Sequence, residues 1–131
     1  MKLPEFFMLI DDDIFSNILC KAVLKEIFAN IDVVGFTEPE KGLEYIKNEY
    51  ADNPVSAVLF LDINMPTLNG WEVMDIIAHY PESIKKNLTI FILSSSIDPL
   101  DKEKANENPL VSGYLEKPLS RKVLESLFFA N

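Results

Sequence analysis

The chain has 131 residues, 48% of them hydrophobic and 25% charged, with a formal net charge of −9. That length suits one domain burying roughly two-thirds of the surface its unfolded chain would expose. The acidic balance argues against nucleic acid or an anionic membrane as partner, since phosphates are held by Lys and Arg. No apolar run approaches the ~18 residues of a membrane span, and no signal-peptide pattern opens the chain, so the expected location is the cytoplasm.

In chain order, Phe6-Phe7-Met8-Leu9-Ile10 reads as a buried strand that runs straight into Asp11-Asp12-Asp13. Ile14, Ile18, Leu19, Ala22, Val23 and Ile27 then adopt helical spacing. The only cysteine, Cys20, falls inside that pattern and is expected to be a small buried hydrophobe. A second strand is expected at 31–36. The helix after it opens at Glu38-Pro39-Glu40, where proline suits a first turn, and carries Leu43 and Ile46. Residues 55–61, Val-Ser-Ala-Val-Leu-Phe-Leu, suggest a strand buried on both faces that ends at Asp62. Pro66 and Asn69-Gly70 then turn the chain into a loop. Trp71, Met74, Ile77 and Ala78 suggest a third helix, with the lone His79 at its end as a surface or capping residue. A fourth strand at 88–94 runs into Ser94-Ser95-Ser96, and a weaker, polar fourth helix spans Pro99 to Glu107. A fifth strand at 112–115 leads to Lys117-Pro118, and Leu119, Val123, Leu124, Leu127 and Phe128 mark a fifth helix. One domain, 1–131, is expected, with no output domain after it.

Alternating strands and helices imply a parallel sheet with right-handed crossovers and helices on both faces. In such sheets ligands sit at the carboxyl ends of the strands, where Asp11, Asp12 and Asp62 would meet. Three carboxylates there repel one another unless a divalent cation neutralises them, and Mg²⁺ takes oxygen ligands of this kind. The plainer alternative is that the aspartate triplet only caps the first helix. Lys117, at the end of the fifth strand, could counter a carboxylate or a phosphoryl oxygen, and its bond to Pro118 is a candidate cis peptide. Ser94 could donate to an anion, with Ser95 and Ser96 as local rivals. Tyr114, taken alone, is a strand aromatic of the core.

Leu-Ile-Asp-Asp-Asp at 9–13, Leu-Asp-Ile-Asn-Met-Pro-Thr-Leu-Asn-Gly at 61–70, Phe-Ile-Leu-Ser-Ser at 91–95 and Gly-Tyr-Leu-Glu-Lys-Pro at 113–118 occur in that order. Together they resemble a response-regulator receiver domain, the CheY-like phosphoacceptor of two-component signalling, over essentially the whole chain. The resemblance implies an α/β, flavodoxin-like (βα)5 fold, doubly wound on a five-stranded parallel sheet of order 2-1-3-4-5. It implies Asp62 as phosphoacceptor, and Asp11 and Asp12 as the acidic pair that holds Mg²⁺ with Asp62. The backbone carbonyl of Asn64 would be a further ligand. Ser94 and Lys117 would contact the phosphoryl group and Tyr114 would be the switch aromatic. Asn64 and Ser96 would influence phosphoryl lifetime. Asn69 departs from the Asp many members carry before the glycine. The implied partners are a sensor histidine kinase or a histidine phosphotransfer protein. A downstream protein would bind the face of the fourth helix, fifth strand and fifth helix, including Leu100, Tyr114 and Arg121. The domain would be a monomer or a phosphorylation-linked dimer, a phosphoacceptor rather than an enzyme acting on other substrates. Two other classes compete. A phosphohydrolase of the haloacid-dehalogenase type resembles Asp-x-Asp at its nucleophile, unlike Asp62-Ile63-Asn64 here. A pseudo-receiver would bind protein without being phosphorylated. A dinucleotide enzyme is weaker still, because no Gly-x-Gly-x-x-Gly comes after the first strand.

Overall fold

The computed structural model describes residues 1–95 and 98–129. Its elements are β1 (Phe6–Ile10), α1 (Ile14–Ile27), β2 (Asp32–Phe36), α2 (Pro39–Asn48), β3 (Ala57–Asp62), α3 (Gly70–Ala78), α4 (Glu82–Lys85), β4 (Leu88–Ser94), α5 (Pro99–Glu107), β5 (Val111–Glu116) and α6 (Arg121–Phe128). A 3-10 turn, Tyr50–Asp52, comes after α2. All strand pairs are parallel, in the order β2-β1-β3-β4-β5. The expected five βα units are therefore present, and the short α4 is an addition to them. At four residues, α4 is scarcely longer than one helical turn, too short for an apolar period to announce it.

Strand alternation builds two separate cores. Met8, Ile10, Leu59, Leu61, Ile90 and Ile92 point to one side, where they meet Leu43 and Ile46 of α2, Val73, Met74 and Ile77 of α3, and Ile84 of α4. Phe7, Leu9, Val58, Phe60, Phe91 and Leu93 point to the other, against Cys20 and Leu24 of α1, Phe28, Leu119, and Leu124 and Phe128 of α6. Every residue of β3 is buried, as its unbroken apolar run requires. That strand begins at Ala57 rather than Val55, because its ladder partners Phe6 and Leu88 begin there. No helix among the described residues is long and apolar enough to cross a membrane.

The first helix forms where its spacing predicts, but its apolar residues divide. Cys20 and Leu24 are buried, whereas Ile14, Phe15, Ile18 and Leu19 stand 58–76% exposed. His79 caps α3 at the surface, its Nδ1 2.8 Å from the Asp75 carbonyl.

Candidate functional site

Each site residue sits where an apolar strand stops. Asp11 comes directly after β1, Asp62 is the last residue of β3, Ser94 the last of β4, and Lys117 comes directly after β5. The sheet order makes those four strands neighbours, so four positions far apart in sequence share one edge. Carboxylate oxygens of Asp11, Asp12 and Asp62 lie within 4.8 Å of one another, Asp12 exposed and the other two buried. The Lys117 ammonium lies 2.7 Å from Asp11 Oδ2 and 3.6 Å from Asp62 Oδ2. Ser94 is fully buried; its hydroxyl is 3.4 Å from Asn64 Nδ2, and its carbonyl accepts from the Lys117 backbone N–H at 2.8 Å. The Lys117–Pro118 peptide is cis.

The third member of the triplet does the capping. Asp13 is the N-cap of α1, its Oδ1 accepting from the backbone N–H groups of Phe15 and Ser16, which leaves Asp11 and Asp12 for the cluster. On the other side, Asn69 and Glu72 close a capping box at the start of α3. Gly70 lets that helix start press against the acidic loop: a Cβ there would sit 2.7 Å from Ile63 Cα and 2.8 Å from the Asp62 carbonyl. The departure at Asn69 is thus accommodated, since an amide oxygen caps as a carboxylate does.

Burial, and then the charge of Asp11, push the Asp62 carboxyl up to about 6, although Lys117 and a backbone hydrogen bond from Asn64 pull it down. Lys117 moves upward too: burial opposes its charge, but the hydrogen bond and charge of Asp11, with the charge of Asp62, outweigh it. Three carboxylates face one ammonium at this edge. Converging hard oxygen donors, one of them open to solvent, fit Mg²⁺, which keeps several of its waters.

Two residues passed over in the sequence belong to this site. Ser16 Oγ donates to Asp11 Oδ2 at 2.6 Å, and Asn17 Nδ2 donates to the Asp11 backbone carbonyl at 2.6 Å. The available signal was a polar pair at the start of the first helix, five and six residues after the first acid. Tyr114 is half-buried and packs against the aliphatic core. The Arg121 guanidinium pairs with Glu26 of α1, which turns it toward the α1–α6 seam. Ser96 lies outside the described residues.

A family model for the response regulator receiver domain matches residues 7–128. The chain therefore belongs to the receiver domains of two-component response regulators. Among solved structures, it is 30% identical to a two-component response regulator from Cytophaga hutchinsonii, over 97% of this chain and 95% of that one, with a TM-score of 0.85. A response regulator receiver protein from Dyadobacter fermentans is 28% identical over 92% of each chain, with a TM-score of 0.83. The chemotaxis protein CheY4 of Vibrio cholerae, at 20% identity over 95% of this chain and 97% of that one and a TM-score of 0.75, shares the fold. No curated protein matches the chain by sequence.

Proposed function

We propose that this receiver accepts a phosphoryl group on Asp62 from the phosphohistidine of a partner, either a sensor histidine kinase or a histidine phosphotransfer protein. The observation that carries the reading is the convergence of the Asp11, Asp12 and Asp62 carboxylates around the Lys117 ammonium. An Asp62 oxygen attacks phosphorus, the new O–P bond forms as the N–P bond of the donor breaks, and the imidazole keeps the electron pair. Phosphoryl transfer asks mainly for alignment and charge neutralisation, which a buried carboxylate on a rigid strand end with an ammonium within reach supplies. Asp11, Asp12, Asp62 and the Asn64 backbone carbonyl would hold Mg²⁺, which when bound offsets negative charge on the transferring oxygens. Lys117 offsets the rest. Hydrolysis of the acyl phosphate at the same site resets the domain, so the protein assists its own phosphorylation and dephosphorylation without acting on a separate substrate.

The dianion on Asp62 then works as an internal ligand. Ser94 donates to it, Lys117 shifts toward it, and Tyr114 moves with Ser94, because the two strands are paired through Ile92–Tyr114 and Ser94–Glu116. The surface of α5, β5 and α6 that carries Leu100 and Tyr114 presents the change to a downstream protein. The donor docks elsewhere, on the outward face of α1. Ile14, Phe15, Ile18 and Leu19 share one side of that helix, and a cleft of about 330 Å³ beside them is lined by Phe15, Leu19, Lys117 and Pro118.

Intact mass after incubation with acetyl phosphate tests the chemistry. One phosphoryl adduct is expected, dependent on Mg²⁺ and absent in Asp62→Asn. No adduct, under conditions that label another receiver, would favour a pseudo-receiver that binds protein constitutively.

A further inference from the structure

We infer that Ser16 is a positioning residue for Asp11, keeping its carboxylate turned toward the cation locus after Lys117 has moved to the phosphoryl oxygens. The inference rests on the receiver chemistry proposed for Asp62. Asp11 Oδ2 takes two donors, Ser16 Oγ at 2.6 Å and Lys117 Nζ at 2.7 Å, while Oδ1 accepts from the Asp13 backbone N–H at 3.0 Å. Of the two donors on Oδ2, only one is free to leave. Lys117 is carried on a flexible four-carbon stem and already lies 3.6 Å from Asp62, where a phosphoryl dianion would draw it further. Ser16 cannot move with it, because it lies in the first turn of α1, whose start is fixed by the Asp13 cap. Once Lys117 departs, the Ser16 hydroxyl is the protein donor that stays on Oδ2.

The hydroxyl has a single proton, and its short bond to a carboxylate is of the charge-assisted kind that fixes a rotamer. Asn17 holds the same residue by its main chain, donating to the Asp11 carbonyl at 2.6 Å and to the Phe36 carbonyl at 3.4 Å across the ends of β1 and β2. The backbone of Asp11 is thus secured independently of Ser16. Removing the Ser16 hydroxyl should release the carboxylate and leave the strand end in place. Groups that orient a metal ligand from outside the coordination shell commonly govern affinity for the metal.

The test is calorimetric Mg²⁺ titration of the whole chain as wild type, Ser16→Ala and Ser16→Thr, with melting curves of each in EDTA and in Mg²⁺. Ser16→Ala should weaken Mg²⁺ binding roughly tenfold, the lower end of the effect of losing such an outer hydrogen bond. Ser16→Thr, which keeps the hydroxyl, should restore it. In EDTA Ser16→Ala should melt modestly below wild type, through loss of one charge-assisted hydrogen bond, and its rise on adding Mg²⁺ should shrink as well. Equal Mg²⁺ affinity in wild type and Ser16→Ala overturns the inference, as does a Ser16→Thr protein as weak as Ser16→Ala. A wild type that binds no Mg²⁺ at all overturns the receiver chemistry with it, which separates the two failures.

Discussion

The carboxyl edge of the sheet and the phenylalanine layer just beneath it are built on opposite rules. At the edge, three carboxylates face one ammonium across a few ångströms, and the buried Asp62 is driven toward its neutral form. In the layer, Phe7 stacks on Phe60 and Phe60 on Phe91, with ring centroids 6.1 and 5.8 Å apart, while Phe28 and Phe128 close over Phe7. The same strands carry both: Phe60 is two residues before Asp62, on the same strand. The edge is arranged for a ligand at a cost in stability, and apolar burial in the layer offsets that cost. Chemistry and stability are thereby assigned to different residues of one strand, and substitutions should separate them.

The largest stability effect is expected in the layer. Phe60→Ala should lose about 3–5 kcal/mol in urea unfolding, the usual cost of emptying a fully buried aromatic site. Where it remains folded, it should still form the Asp62 adduct. A Phe60→Ala protein that is stably folded but cannot be phosphorylated would mean that the layer also shapes the site. Gly70→Ala comes next and should break the separation, because its Cβ would press on Ile63 and on the Asp62 carbonyl. About 1–3 kcal/mol of overpacking strain is expected, together with slower labelling by acetyl phosphate. Normal labelling in a destabilised Gly70→Ala protein would show that the acidic loop adjusts freely.

Acidity sharpens the comparison further. An acid whose folded pKa is raised, here from 3.8 to about 6, binds more protons folded than unfolded across that interval. Its contribution to stability is therefore largest at low pH and is lost as pH rises from about 4 to about 6. In metal-free protein, wild type minus Asp62→Asn stability should fall over that window, and a difference that rises instead would deny that burial and the charge of Asp11 raise the Asp62 pKa. The smallest effect on stability is expected at Phe15, which is 76% exposed. Phe15→Ala should change stability by no more than about 0.5 kcal/mol. It should slow transfer from a protein phosphohistidine donor and leave labelling by acetyl phosphate unchanged. Equal slowing with both donors would remove α1 from the docking surface.

Much of this architecture could be read from residue order. The strands at 6–10 and 88–94 coincide with β1 and β4, because apolar runs that short, closed by acids or hydroxyls, have few other ways to be buried. Asp11, Asp62, Ser94 and Lys117 were legible as strand-end residues for the same reason. The Asp triplet was only partly legible, since three identical side chains in a row offer no local ground for choosing which one caps; the phase of α1 makes it Asp13. The helical spacing of Ile14, Ile18 and Leu19 carried no sign that they face outward, because periodicity gives a helix its stripe but not the width of its seat on the sheet.

By itself, the sequence determined which segments are strands, which helices alternate with them, and which acids, hydroxyls and amines stand at strand ends. Those properties depend on the period of apolar side chains and on turn residues a few positions away. Only the tertiary structure decided that α4 exists, that Arg121 turns to Glu26, and that Ser16 and Asn17 hold Asp11. It also brought Lys117 onto Asp11 across the sheet. Such contacts join residues whose separation in space is fixed by how the sheet is ordered and how its helices are seated, and no short stretch of sequence encodes that distance.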